Sequence, residues 1–181
     1  MSETLVTSVD TGRGLPDLLA PGLSVVFCGI NPGVRAASTG HHFEGRGNRF
    51  WRVMHLAGFT PEQIRPEDDR TILRYGCGLT TVVARATAQA AELSREEIEM
   101  AGATFRAKIS HYAPHHVVFL GKMAISALSG SRDIQWGPQV DLFGGVRAWV
   151  VPNPSGLNRA FDLAALVTAY REVRTAVVSM P

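Results

Sequence analysis

Three short apolar runs set the frame of this chain: Leu23 to Cys28, Val117 to Leu120 and Val146 to Val151. Each is too short for a buried helix and rich in the β-branched and aromatic residues that suit strands covered on both faces. Leu79 to Val83 reads as a further short strand or extended segment. Between these runs the spacing turns helical. Arg49 to Gly58 puts Phe50, Val53, Met54 and Ala57 on one face, with Gly58 as the stop. Glu67 to Tyr75 is amphipathic and closes near Gly76. Ser94 and Glu97 form a capping box ahead of a helix whose main body runs from Ala103 to His111. Another helix starts at Gly121-Lys122-Met123-Ala124, and a last one covers Asp162 to Val178. Arg35 to Asn48, with Gly40, Gly45 and Gly47 and few apolar residues, reads as a long loop, a length that is uncommon unless functional. Strands alternating with helices predict a three-layer α/β/α fold around a mostly parallel central sheet.

Two polar loops follow strands in this scheme: Gly29-Ile30-Asn31-Pro32-Gly33 after the first, and Asn153-Pro154-Ser155-Gly156-Leu157-Asn158-Arg159 after the last. In a parallel sheet both lie at the carboxyl ends of their strands, where open α/β sheets place the ligand crevice. With 181 residues and 45% hydrophobic content, the chain is expected to form one domain over residues 19–181, preceded by a flexible polar leader over 1–18. No apolar stretch approaches a membrane span, and no secretory pattern opens the chain, so a cytoplasmic location is expected.

Net charge is only +2, so its distribution matters more than its total. Arg35, Arg46, Arg49 and Arg52 share a window with a single acid, Glu44, and with His41 and His42. Cys28 and Cys77 are too few and too distant for a metal cluster or disulfide framework, and read as small core residues. His41-His42 and His115-His116 are adjacent pairs, a spacing that rarely serves one metal ion. Gly121-Lys122 lacks the upstream glycine of a phosphate loop. No serine or cysteine nucleophile stands beside a base around the first loop. Asn31 remains, an acceptor and donor that holds a water but takes no proton at neutral pH. Such a residue suits a reaction whose leaving group departs largely by itself.

Val25-Val26-Phe27-Cys28-Gly29-Ile30-Asn31-Pro32-Gly33, Asn48-Arg49-Phe50-Trp51, Ala57-Gly58-Phe59-Thr60, Leu120-Gly121-Lys122, Gln135-Trp136-Gly137 and Pro152-Asn153-Pro154-Ser155-Gly156-Leu157 carry a resemblance. In order and spacing the chain resembles the mismatch-specific uracil- and thymine-DNA glycosylases of the uracil-DNA glycosylase superfamily. The resemblance implies the uracil-DNA glycosylase-like fold and a monomeric bacterial enzyme, located in the cytoplasm and held at the nucleoid through DNA. It implies a chemistry with neither metal nor cofactor, and double-stranded DNA carrying G·U or related mispairs as the partner. By motif position Asn31 orients the attacking water. Phe43 stacks on the flipped pyrimidine, while backbone around Ile30, Gly33 and Phe43 reads its edge. Gly156, Leu157, Asn158 and Arg159 match the wedge, with Leu157 filling the vacated stack. Arg46, Arg49 and Lys122 are expected at phosphates; a cation at the helix start beginning with Lys122 opposes the helix dipole and fits an anionic partner nearby.

Two positions depart from the pattern. Ala36 stands where bacterial uracil-specific members carry serine, which implies room for the 5-methyl group of thymine. Thr81 stands where members vary among polar residues near the base, and it supplies a hydrogen bond but no charge. The absence of a carboxylate base implies slow chemistry favouring good leaving groups such as uracil and ethenocytosine. Competing readings are a branch that prefers uracil in single strands, a non-catalytic damage-binding module and an unrelated small-molecule hydrolase.

Overall fold

The structure, a computed structural model, describes residues 14–179. Its centre is a five-stranded sheet of β1 (Val25–Gly29), β2 (Cys77–Thr81), β3 (His116–Leu120), β4 (Gly137–Phe143) and β5 (Val146–Val151), in the order β2-β1-β3-β5-β4. β1 pairs in parallel with β2 and β3, β3 pairs in parallel with β5, and β4 is antiparallel to β5. The five α-helices are α1 (Val34–Thr39), α2 (Phe50–Leu56), α3 (Arg95–Tyr112), α4 (Lys122–Ser129) and α5 (Leu163–Val178).

Side chains alternate across each strand, and here both faces are buried. Val25, Phe27, Val118, Leu120, Trp149 and Val151 pack against Phe50, Val53 and Met54 of α2 and Leu166, Tyr170 and Val173 of α5. Val26, Cys28, Val117, Phe119, Ala148 and Val150 pack against Ile98, Phe105 and Ile109 of α3 and Ala124, Ile125 and Ala127 of α4. The three-layer α/β/α arrangement expected from the apolar runs is therefore present. β1 sends its chain to β2 on one side while β3 lies on its other side, so a topological switch falls at the carboxyl ends of β1 and β3.

The structure corrects several boundaries. The expected loop over Arg35 to Asn48 begins with helix α1, because Gly40 acts as its left-handed C-cap, donating its N–H to the Ala36 carbonyl. A glycine read as a loop marker is thus a helix stop. The Glu67 to Tyr75 helix is a tighter 3₁₀ segment, Pro66–Tyr75, kinked at Asp68 and closed by left-handed Gly76. α3 is continuous from Arg95: Ser94 Oγ accepts the Glu97 N–H, and Arg95 pairs with Glu99 at 2.7 Å one turn on. Its first turns bury only Ile98, which hid them from a reading by apolar periodicity. β4 was not expected at all. It is an exposed edge with Pro138 inside it and a register shift between Pro138 and Leu142; its apolar positions Val140 and Leu142 lie in solvent, so its alternation marks no buried face.

Most of the expected leader, residues 1–13, lies outside the described residues. At its inner end Leu18 is buried and exchanges two backbone hydrogen bonds with Leu79, both 2.9 Å. The packed chain therefore reaches back at least to Leu18.

Phe27 is the hub of the first core: fully buried, edge-on to Phe50 and Phe59 and parallel to Tyr170 at 5.9 Å. Phe27→Ala is expected to cost about 3–5 kcal/mol of unfolding free energy, read from the urea midpoint with the slope unchanged; a loss under about 1 kcal/mol would mean the cavity collapses.

Candidate active site at the carboxyl ends of the sheet

The two polar loops singled out by sequence line one cleft over the carboxyl ends of β1, β3 and β5, and the second is bound to the segment before α2 and to the end of β3. The Arg49 N–H donates to the Pro154 carbonyl at 3.0 Å and Asn153 Nδ2 donates to the Leu120 carbonyl at 3.3 Å. Gly156 faces Gly47 so closely that a Cβ on Gly156 would lie 2.8 Å from the Gly47 oxygen; no side chain fits there. Between the loops runs a cleft of about 400 Å³. Ile30, Asn31, Gly33, Ala36, Phe43, Arg46, Thr81, Gly156 and Leu157 all line it.

Asn31 is fixed by its amide. Nδ2 donates to the Arg85 carbonyl at 2.7 Å and to Thr87 Oγ1 at 2.8 Å. A carbonyl accepts only from the NH₂ group, so the amide orientation is determined. Oδ1 has no partner among the described residues and remains free to accept. Thr87 is buried, and its N–H donates to the Pro32 carbonyl at 3.1 Å. Arg85 is anchored in turn to Glu97 of α3 by Nε at 2.7 Å and Nη2 at 2.8 Å. Sequence reading missed both supports, since nothing in Ala84-Arg85-Ala86-Thr87 distinguishes it from an ordinary loop.

Phe43 has φ +56°, a left-handed conformation that costs a non-glycine residue about 1–2 kcal/mol. Its neighbours impose it. The His42 N–H donates to Asp69 Oδ2 at 2.8 Å, the His42 carbonyl accepts from Trp51 Nε1 at 3.0 Å, and His42 Nε2 donates to the Pro16 carbonyl at 2.7 Å. Phe43 then lies nearly parallel on Phe50, with ring centroids 3.8 Å apart. Its backbone N–H and carbonyl have no partner among the described residues, whereas the Ile30 and Gly33 carbonyls are taken by the Val83 and Ala37 N–H groups. Thr81 ends β2 opposite Gly29, and Ala36 is the buried residue of α1.

Leu157 is 70% exposed at the tip of its loop. The Ser155 N–H donates to Asn153 Oδ1, the Leu157 N–H to Ser155 Oγ and Asn158 Nδ2 to the Asn153 carbonyl, at 2.9, 3.2 and 2.9 Å. Asn158 is therefore bound into the loop, and Arg159 is exposed beside it.

One expected phosphate ligand is differently placed. The three nitrogens of the Arg49 guanidinium donate four hydrogen bonds to main-chain carbonyls of residues 154–161, which commits the side chain to the loop and leaves only one of its five N–H donors, on Nη1. Arg46 and Arg52 form no ion pair among the described residues and line an adjoining cleft of about 440 Å³. There Arg35 is paired with Glu44 at 3.1 Å, and Arg65 with Asp68 at 2.8 Å. The Lys122 ammonium lies 4.6 Å from the centre of the Trp136 ring.

Among the described residues Glu44 is the one carboxylate on the main cleft; a hydrogen bond from Thr39, then the Arg35 guanidinium, hold it below the usual range. Both thiols are buried, and burial pushes them up, that of Cys77 to about 12. A second groove of about 510 Å³ elsewhere is lined by Glu67, Asp68 and Asp69 and also by His41, Arg70 and Arg74, a wall of mixed charge. Among the described residues no three His, Cys, Asp or Glu side chains group to hold a metal ion, and no helix is long and apolar enough to cross a membrane.

The Uracil DNA glycosylase superfamily matches residues 16–174. The chain is also similar to a protein of Methanosarcina acetivorans solved by solution NMR and described as a candidate uracil DNA glycosylase. The two share 20% identity with a TM-score of 0.58, over 90% of this chain and 98% of the other, a likeness of fold.

Burial pulls the His42 imidazole below its ordinary value. The unfolded chain therefore takes up a proton that the folded one refuses. Its contribution to stability is complete above about pH 6.5, the unfolded value, and is lost as pH falls below it. His42→Gln is expected to show a shallower fall in melting temperature from pH 7.5 to 5 than the wild type; equal slopes would assign that fall to other groups.

Proposed function

The chain belongs to the Uracil DNA glycosylase superfamily, whose members are DNA glycosylases, and on that premise we propose that it removes uracil from mispairs with guanine in double-stranded DNA, leaving an abasic site. The observation that carries the reading is Asn31: it lines a cleft shared by Phe43 and Leu157, its NH₂ is committed twice, and its Oδ1 has no partner among the described residues.

The target nucleotide leaves the stack at a cost of a few kcal/mol, least for a mispaired base. Leu157 enters the vacated space and recovers part of the lost stacking, while Gly156, Asn158 and Arg159 meet the opposite guanine. The flipped pyrimidine lies on Phe43, with N–H groups of Ile30, Gly33 and Phe43 at its edge and Thr81 offering a hydroxyl. Asn31 Oδ1 holds a water beside C1′ of the sugar. The bond from C1′ to the base breaks with its electron pair going to the base, the water oxygen bonds to C1′, and the water proton is released. No side chain need act as a strong base when the departing anion is stable, so uracil and ethenocytosine are favoured over cytosine. Arg46, Arg52 and Lys122 neutralise phosphates, giving an affinity that falls with salt.

Single-turnover base release from duplexes carrying G·U, A·U, G·T or G·ethenocytosine tests this. Release from G·U well above A·U is expected, with Asn31→Ala slower by about a hundredfold and DNA affinity retained. Tight, salt-sensitive binding without release in any lane would make the protein a damage-binding module, and faster release from single strands would place it in another branch. Thymine release from G·T is expected because Ala36 leaves room for a methyl group. Ala36→Ser should lower it about tenfold with uracil release unchanged; equal loss on both bases would reject the role of Ala36.

A further inference from the structure

The Arg49 side chain is half-buried, has no carboxylate partner among the described residues, and spends every nitrogen on one loop. Nε donates to the Pro154 carbonyl at 3.3 Å, Nη1 to Phe161 at 2.7 Å, and Nη2 to Ser155 at 2.9 Å and Asn158 at 2.8 Å. These acceptors lie on both sides of Leu157, so one planar fork holds both limbs of the loop that carries it. The next residue, Phe50, is the ring beneath Phe43. Asn48 Oδ1 accepts the Phe50 N–H at 2.9 Å and fixes this turn. One short segment, residues 48–50, therefore grips the exposed leucine's loop with a side chain and supports the aromatic platform with its neighbour.

We propose that Arg49 is a positioning residue that holds Leu157 ready for insertion in register with Phe43, so that entry of the wedge and capture of the base are one rigid movement. The proposal rests on the functional reading above. The physical requirement is the fork: a guanidinium offers five N–H donors in a plane, whereas a lysine ammonium offers three from a single point. A lysine keeps the charge and loses the bracket around Leu157.

The test is a double-mutant cycle on G·U duplex with R49K, L157A and the pair, each shown folded by its melting curve. Two readings are taken: the single-turnover rate of uracil release, and the fluorescence of 2-aminopurine placed beside the uracil, which reports unstacking. R49K is expected to lower both as far as L157A does, up to about a hundredfold in rate, and the double mutant to be no slower than L157A. Additive losses, or R49K at the wild-type rate, would overturn the proposal. Should R49K fail to fold, Arg49→Gln, which keeps two N–H donors without charge, is taken through the same cycle. A wild type that releases uracil from no duplex sinks the functional reading itself; an active wild type with additive losses sinks only the role of Arg49.

Discussion

A strand covered on both faces has no place for a polar side chain except at its ends, and that constraint organises this molecule. β1 and β3 are buried along almost their whole length, and β5 exposes only Arg147. Every polar group with chemistry to offer is therefore displaced to the loops that leave the sheet. Because the three strands are parallel neighbours, their carboxyl-end loops open on one side, and Asn31 and Leu157 come together although 125 residues of chain lie between them.

What gives those loops a fixed shape is main-chain hydrogen bonding rather than ion pairing. Asn31, Asn48, Asn153 and Asn158 each use their amides on backbone groups, and Arg49 uses its guanidinium in the same way. Asn and Arg are suited to this because both present planar, multiple donors at fixed angles. The arrangement leaves Arg46 and Arg52 without ion-pair partners among the described residues on the surface beside the cleft, so positive potential is retained where the loops themselves require none. At the site the left-handed backbone of a non-glycine residue falls at Phe43, clamped on one side by the buried His42 and by Asp69, consistent with a ring held at one angle for stacking.

The strand runs were readable because double burial leaves an unbroken apolar signature, and α2 and α5 because their apolar positions recur at helical spacing. α1 and β4 escaped for opposite reasons: α1 is a single short turn hidden by the glycine that caps it, and β4 is an edge whose side chains mostly meet water. At the site, the positions of Asn31, Phe43 and Leu157 on one cleft could be anticipated from motif order. Arg85 and Thr87 could not, since a loop residue that supports another through one hydrogen bond leaves no periodic or compositional trace. Arg49 shows the limit from the other side: an arginine in a basic window reads as a surface cation until its acceptors, more than 100 residues away, are known.

The two borders of the sheet bear on how this protein behaves at high concentration. An open strand edge is a template for strand addition from another chain. Along β2, Leu18 occupies two backbone positions of Leu79. Along β4, Pro138 withholds an N–H, and the register shift between Pro138 and Leu142, with Asp141 inside it, breaks the straight ladder a newcomer would need. Val140 and Leu142 are left in water, yet on a strand too irregular to be extended. That irregularity opposes edge-to-edge addition while both ends of β4 stay paired to β5.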